Sequence, residues 1–383
     1  MADSVLLNGK TVSEKERNYG IDLLRVISMF MVVLLHLNKF SDLLKNYEAN
    51  TIGYIGVWAL EAFAICAVNV YAMISGYVLL NSKFKLKRLL QLYLEVLFFS
   101  LISYVLMAVI KDRFFGFKDF IKGLVFILPL SGEPFWYFKA YFLLFFVFPL
   151  LNILAKNMNK RQFILLFIVV TVCVSFIAHY AYDFGFNAGY SFIWLVVMYL
   201  LGAYFKKYGL LKTSGRKNIL LYVLFSVIIL LILIINNALP PIQVSTEGNT
   251  LDLKYDSYAY TSVFVVFQSI FLFNAFAKIK LRNDGVKKIT LKLSQLTFGI
   301  YVVHCSLYGR ALLKFASFIG DLSPWLTVPL IFGLAIAYFA GFALIAYLKQ
   351  LLFKYAKIDD ITFKVGDFIQ NKISAFADKK AEE

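Results

Sequence analysis

Apolar residues run along this chain in long blocks separated by short polar stretches. The blocks fall at about 21–40, 55–80, 89–110, 136–155, 163–180, 190–206, 218–237, 258–278, 295–316 and 326–348. Roughly 20 apolar residues are what a helix needs to cross a ~30 Å hydrocarbon core. The ten-residue alternation of an outer-membrane barrel is absent. The pattern therefore predicts an all-α, polytopic integral membrane protein with about ten transmembrane helices and both termini on one side. Residues 1–20 read as a polar tail, 21–350 as the membrane domain and 351–383 as a second tail. No small-residue cleavage site follows the first block, so it reads as a retained helix.

Three segments depart from this pattern. Phe120–Leu130 is too short to span, and 238–257 is a long polar loop opened by Pro240-Pro241. In the C-terminal tail, Ile361, Val365, Phe368 and Phe376 recur among charges as in an amphipathic surface helix. No internal repeat suggests an inverted-repeat transporter.

Composition agrees: 61% of residues are hydrophobic and 16% charged, where a soluble domain carries about 25% charged. The net charge of +16 resembles a nucleic-acid footprint until it is mapped. With the N-terminus on the cytoplasmic side, 28 of the 39 Lys and Arg fall on that side and 8 opposite. Arg25, Lys139 and Arg310 remain inside spans. This is the positive-inside bias, so both termini are expected in the cytoplasm of a multi-pass plasma-membrane protein. Lipid head groups then suffice as partners for the basic loops, and no nucleic acid is expected. Cys66, Cys173 and Cys305 all lie in blocks, with neither disulfide nor zinc spacing. They read as packing residues, and no metal is expected.

Ionisable residues inside a span are costly and point to function. The first block, IDLLRVISMFMVVLLHLNKF, holds Asp22, Arg25 and His36. Arg25 and His36 are eleven residues apart, so they point within about 20° of each other and lie about 16 Å apart along the axis. Asp22 can pair with Arg25 one turn away. Asp22 and Arg25 alone read equally as an interfacial anchor. In the second block, Glu61 lies at a depth similar to His36 and suits a carboxylate–imidazole pair, or a packing hydrogen bond. Asn69 also needs polar company.

Lys85 and Arg88 stand one turn apart after the second block, where a basic loop needs no function but a cationic pair could hold phosphates. Thr297, Tyr301, His304 and Tyr308 share a stripe in LSQLTFGIYVVHCSLYGR. They read as a polar seam or as part of a site. His179 reads as interfacial. Glu133 and Trp136 open the fourth block, as a belt tryptophan or as a carboxylate and aromatic face suited to a carbohydrate.

These elements together resemble the membrane-bound acyltransferase-3 family. IDLLR with His36 after ten intervening residues, AVNVYAMISGYVL, the Lys85–Arg88 pair, FWYFKAYFLLFFVFPLLN and TFGIYVVH match its motifs in order over about residues 19–350. The nearest branch in appearance acetylates capsular and surface polysaccharides. One departure is Lys85, where the family usually has arginine. Lysine keeps the charge but loses the bidentate fork.

The resemblance implies transfer of an acetyl group from acetyl-CoA, as donor substrate, to a hydroxyl of a cell-surface or lipid-linked glycan. Arg25 and His36 are the motif residues. On that reading His36 is the general base, oriented by Glu61. Asp22, Arg25, Lys85 and Arg88 hold the donor, while Glu133, Trp136, Tyr301 and His304 lie on the acceptor side. A homo-oligomer is allowed. The reading from another class is a transporter or flippase using Arg, His and Glu as a proton or substrate path.

Overall fold

The computed structural model describes residues 17–110, 135–177, 185–240, 243–246, 249–252 and 255–382. The helices are α1 (Tyr19–Phe40), α2 (Ile52–Ala64), α3 (Ala67–Leu79), α4 (Leu86–Ile110), α5 (Trp136–Asn157) and α6 (Lys160–Val172). They continue with α7 (Phe192–Tyr208), α8 (Gly215–Ala238), α9 (Val263–Ala277), α10 (Asp284–Cys305), α11 (Leu307–Lys314), α12 (Pro324–Tyr355) and α13 (Ile358–Glu382). A short antiparallel hairpin, β1 (Gln243–Thr246) with β2 (Asn249–Asp252), lies inside the polar stretch after α8.

Side-chain caps fix where helices begin. Asn18 accepts from the Gly20 and Ile21 amides at the start of α1, and Ser191 and Ser214 do the same for α7 and α8. Asn159 and Gln162 close a reciprocal capping box on α6.

Six helical segments are long and apolar enough to cross a membrane, with Ile52–Leu79 counted as one. The count rises to seven if the α10–α11 pair, bent by 75°, forms a broken span. The expected count of ten is therefore not reached among the described residues. The eighth block forms only a 15-residue helix, α9, and the sixth a 17-residue one, α7. At 1.5 Å per residue these reach about 22 and 25 Å. The fifth block is described only to residue 177, and His179, Phe120–Leu130 and Glu133 lie outside the described residues.

Around the bundle, α4 exposes Leu101 and Val105, α5 exposes Leu143 and Leu150, and α8 exposes Leu220 and Leu231. Exposed apolar residues in this number belong in lipid. The chain is a multi-pass membrane protein built from helices.

The centre of the bundle is α1, which packs against α2, α3, α9, α10, α11 and α12. Beside it, α3 and α7 cross at backbone contact. A Cβ on Gly76 would collide with the Tyr199 carbonyl, and one on Gly202 with the Met73 carbonyl. Small residues permit such crossings in membranes, where close packing replaces the hydrophobic effect between helices. Among the described residues one ion pair is buried between helices: Lys349 Nζ on α12 lies 3.3 Å from Glu95 Oε2 on α4.

The C-terminal helix lies on α4. Lys87 pairs with Asp367 at 2.9 Å, and the Leu86 amide donates to Gln370 Oε1 at 2.8 Å. Ile361, Val365, Phe368 and Phe376 are exposed along α13, as expected of an amphipathic surface helix.

Candidate functional site

From α1, the side chains of Arg25, Met29, Val32, His36, Lys39 and Phe40 face one cavity of about 990 Å³. From Arg25 to Lys39 the steps of four, three, four and three keep to one helical stripe, and Phe40 adjoins it. Of the site residues expected from the sequence, Arg25, His36, Glu61, Trp136 and Tyr301 line this cavity. His304 stands directly behind His36.

At one end, Arg25 Nη1 donates to Ser294 Oγ at 2.9 Å and lies 3.3 Å from Asp22 Oδ1. Asp22 does not reach the cavity. Its carboxylate is held bidentately by Arg17, at 2.7 and 3.0 Å, and accepts from Ser294 at 3.2 Å. The pair therefore anchors Arg25, with the Tyr71 hydroxyl donating to the Arg25 carbonyl at 2.8 Å. Among the described residues Nε and Nη2 of Arg25 make no hydrogen bond, so the guanidinium keeps donors for an anion.

Lys85 and Arg88 stand elsewhere. Neither lines the cavity. Arg88 donates to Gln91 at 3.3 Å and lies over the Phe363 ring of α13, 5.6 Å from its centroid. The C-terminal helix thus packs on the first turn of α4, which carries Arg88 and follows Lys85.

At the other end, two imidazoles meet. His304 Nδ1 lies 2.7 Å from the Ile300 carbonyl oxygen, and His304 Nε2 lies 2.8 Å from His36 Nδ1. The hydrogen positions follow by logic. A carbonyl only accepts, so His304 Nδ1 carries the proton. In a neutral imidazole its Nε2 is then bare and must accept, so His36 Nδ1 carries a proton as well. His36 Nε2 is left with its lone pair. Tyr301, one turn earlier on α10, accepts at its hydroxyl oxygen from the Phe138 amide at 3.2 Å, so its own proton remains to be donated.

The partner expected for His36 was Glu61, but the structure pairs Glu61 Oε1 with Asn38 Nδ2 at 3.2 Å. Glu61 is almost fully buried on the cavity wall. Asn69 finds its polar company in Trp194 Nε1 (2.8 Å) and the Tyr260 carbonyl (2.9 Å).

The expected stripe through Tyr308 is broken. Helix α10 stops at Cys305, because Ser306 (φ −63°, ψ 163°) leaves helical geometry and caps α11 through the Gly309 amide. Tyr308 therefore lies past the bend, with its amide on Ser103 Oγ at 2.8 Å. The same bend brings Arg310 to the cavity wall, its Nε on the Cys305 carbonyl at 3.0 Å and its guanidinium 5.0 Å from the Phe40 ring centroid.

An aromatic cup closes this end. Trp136 stacks on Tyr260 (6.2 Å, 23°) and packs on Tyr190 at 4.8 Å, while Trp58 meets Tyr258 edge-on at 4.9 Å. Trp58 Nε1 and the Tyr137 hydroxyl are buried, line the cavity and have no hydrogen-bond partner among the described residues. Buried donors without partners are rare in folded proteins and suit a ligand's acceptors. Asn187 (φ 47°) and Ala188 (φ 51°) also line the cup in left-handed geometry, a cost of order 1–3 kcal/mol for such residues. The Tyr260 amide, donating to the Ala188 carbonyl at 3.0 Å, holds that turn. Of this cup the sequence reading singled out only Trp136. Trp58, Tyr190, Tyr258 and Tyr260 come from segments far apart in the chain.

Neither a curated protein nor a solved structure matches the chain. A family model described as an acyltransferase domain matches residues 18–347, a stretch containing every residue of the cavity wall. The chain belongs to the acyltransferase-3 family and is a membrane acyltransferase.

Proposed function

We propose that this acyltransferase moves an acetyl group from acetyl-CoA to a hydroxyl of a cell-surface or lipid-linked glycan, with His36 as general base. The observation that carries this reading is the His36–His304–Ile300 chain, which leaves His36 Nε2 bare. A sugar hydroxyl is a poor nucleophile near neutral pH, and a positioned base is worth ~10²–10⁴-fold. The hydroxyl proton passes to His36 Nε2 as the oxygen attacks the thioester carbonyl. The tetrahedral intermediate then expels the CoA thiolate, which takes the proton back from His36. Tyr301 offers its O–H to the oxyanion.

Arg25 takes the donor's phosphates or pantetheine arm at the far end. Because Lys85 and Arg88 lie off the cavity wall, we assign them a role outside the reacting complex, at the C-terminal helix. The aromatic cup supports a sugar acceptor, since Trp136 and Tyr260 offer ring faces and Trp58 and Tyr137 offer unpartnered donors. The basic residues around Arg25 favour a cytoplasmic donor and an acceptor from the opposite face. Glu133 belongs to that acceptor side on the same reading.

Replacing His36 by alanine should lower acetylation by ~10²–10⁴-fold while the protein stays in the membrane at its normal level. Full activity in that variant would remove His36 from the base role. Sidedness is tested by offering a membrane-impermeant glycan to oriented vesicles, where labelling from the lumenal or cytoplasmic face reports the acceptor side. Solute movement without acetyl-CoA in such vesicles would instead favour transport.

A further inference from the structure

Cys305 takes no part in the proposed transfer, yet its sulfur sits against both imidazoles. Sγ lies 3.5 Å from His304 Nε2 and 3.7 Å from His36 Nδ1, and those two nitrogens are 2.8 Å apart. A buried cysteine is ordinarily a small packing residue. Here its sulfur completes a three-sided set of zinc-type ligand atoms.

The distances can be compared with a tetrahedral ion. With Zn–N near 2.05 Å and Zn–S near 2.3 Å, the N–S edges come to about 3.6 Å and the N–N edge to about 3.4 Å. Both sulfur edges already fit, and the nitrogen pair needs to open by about half an ångström. His304 is prepared for a metal: its bare Nε2 faces the set, and its Nδ1–H is held by the Ile300 carbonyl, as the outer nitrogen of a metal-bound histidine usually is. His36 and Cys305 also line the cavity, which gives a cation access and a fourth, open position.

We propose that His36, His304 and Cys305 form a site for a borderline-soft divalent cation of the zinc class, and that the bound cation switches acyl transfer off. The inhibitory half rests on the base role proposed for His36. Coordination by His36 Nδ1 leaves the ring's single proton on Nε2, the nitrogen that faces the acceptor. A nitrogen that carries a proton cannot take another from the hydroxyl. Cys305 binds as thiolate, so one proton is released per cation, while His304 keeps its tautomer. Lys39 and Arg310 share this end of the cavity and oppose added positive charge, which limits the affinity and favours exchange.

Cobalt(II) titration of the purified full chain in detergent tests the site directly. One cobalt per chain should bind with a near-ultraviolet thiolate-to-cobalt charge-transfer band and intense tetrahedral bands in the visible, and zinc should displace it. The charge-transfer band should vanish in Cys305→Ser and persist when Cys66 and Cys173 are replaced. His304→Gln should weaken cobalt binding in a chain that elutes as wild type does. No band in the wild type, or a band that survives Cys305→Ser, overturns the site. In the second arm, zinc should lower acetyl transfer in proportion to occupancy and a chelator should restore it. Zinc that raises transfer, or leaves it unchanged at full occupancy, overturns the inhibitory role. The cobalt signal needs no substrate, so it reports the site even if the chain proved not to acetylate glycans.

Discussion

If His304 acts only by holding His36 in one tautomer, its loss must be felt through His36 alone. Removing His304 as alanine deletes the acceptor 2.8 Å from His36 Nδ1. The ring is then released to rotate and to exchange its proton between nitrogens. A buried hydrogen-bonding group left without its partner costs about 1–3 kcal/mol, which is roughly 5- to 150-fold in kcat if the cost falls on the reactive state. Loss of the base itself, in His36→Ala, should cost the larger ~10²–10⁴-fold. The double variant should be no slower than His36→Ala, since there is no tautomer left to hold. His304→Gln, whose amide oxygen can accept from Nδ1–H, should recover part of the loss. The assay is transfer of isotope-labelled acetyl from acetyl-CoA to glycan in membranes matched for protein amount. A double variant that loses the product of the two single losses would refute the reasoning, because it would give His304 a path to the reaction independent of His36.

Other expectations follow from the same geometry. Arg25→Gln should raise KM for acetyl-CoA about tenfold or more, as expected for charge-assisted bonds of about 1.5–3 kcal/mol, whereas Arg88→Ala should change it little; donor titrations of both variants check this. Trp136→Ala should raise KM for the glycan severalfold, in line with about 0.5–1.5 kcal/mol for an aromatic contact, and Trp58→Phe should do so by losing a hydrogen bond worth about 0.5–1.5 kcal/mol; glycan titrations check both, and KM for the donor should stay unchanged. Lys349→Met strands Glu95 and should destabilise the protein by about 3–5 kcal/mol, while Glu95→Gln with Lys349→Met should recover most of it; melting in detergent measures both.

Much of this arrangement could be read from the chain because it is written within single helices. Arg25 and His36 share a cavity wall since eleven residues bring a helix back to nearly the same face. The surface helix after residue 357 shows its apolar stripe plainly. What stayed hidden depends on pairings between distant segments. Glu95 and Lys349 meet across 254 positions, and the aromatic cup is assembled from α2, α5 and two connecting segments. The end of α10 was hidden for a different reason: the apolar run continues through Ser306, and only the local cap at Gly309 shows that the helix turns there. That turn misplaced Tyr308 in the sequence reading. Cys305 looked like packing because its partners, His36 and its own neighbour His304, face it only once the fold is formed. Among the described residues the span count falls short of ten where short helices such as α9 carry the same composition as long ones.

The Gly76–Gly202 crossing limits how the cavity can breathe. Where backbone rests on backbone there are no side-chain rotamers to yield, so α3 and α7 can shift only as one body. Tyr71 and Ser75 on α3 therefore make up a fixed wall. Room for a donor and a bulky acceptor must then come from walls built of side chains, whose rotamers can yield.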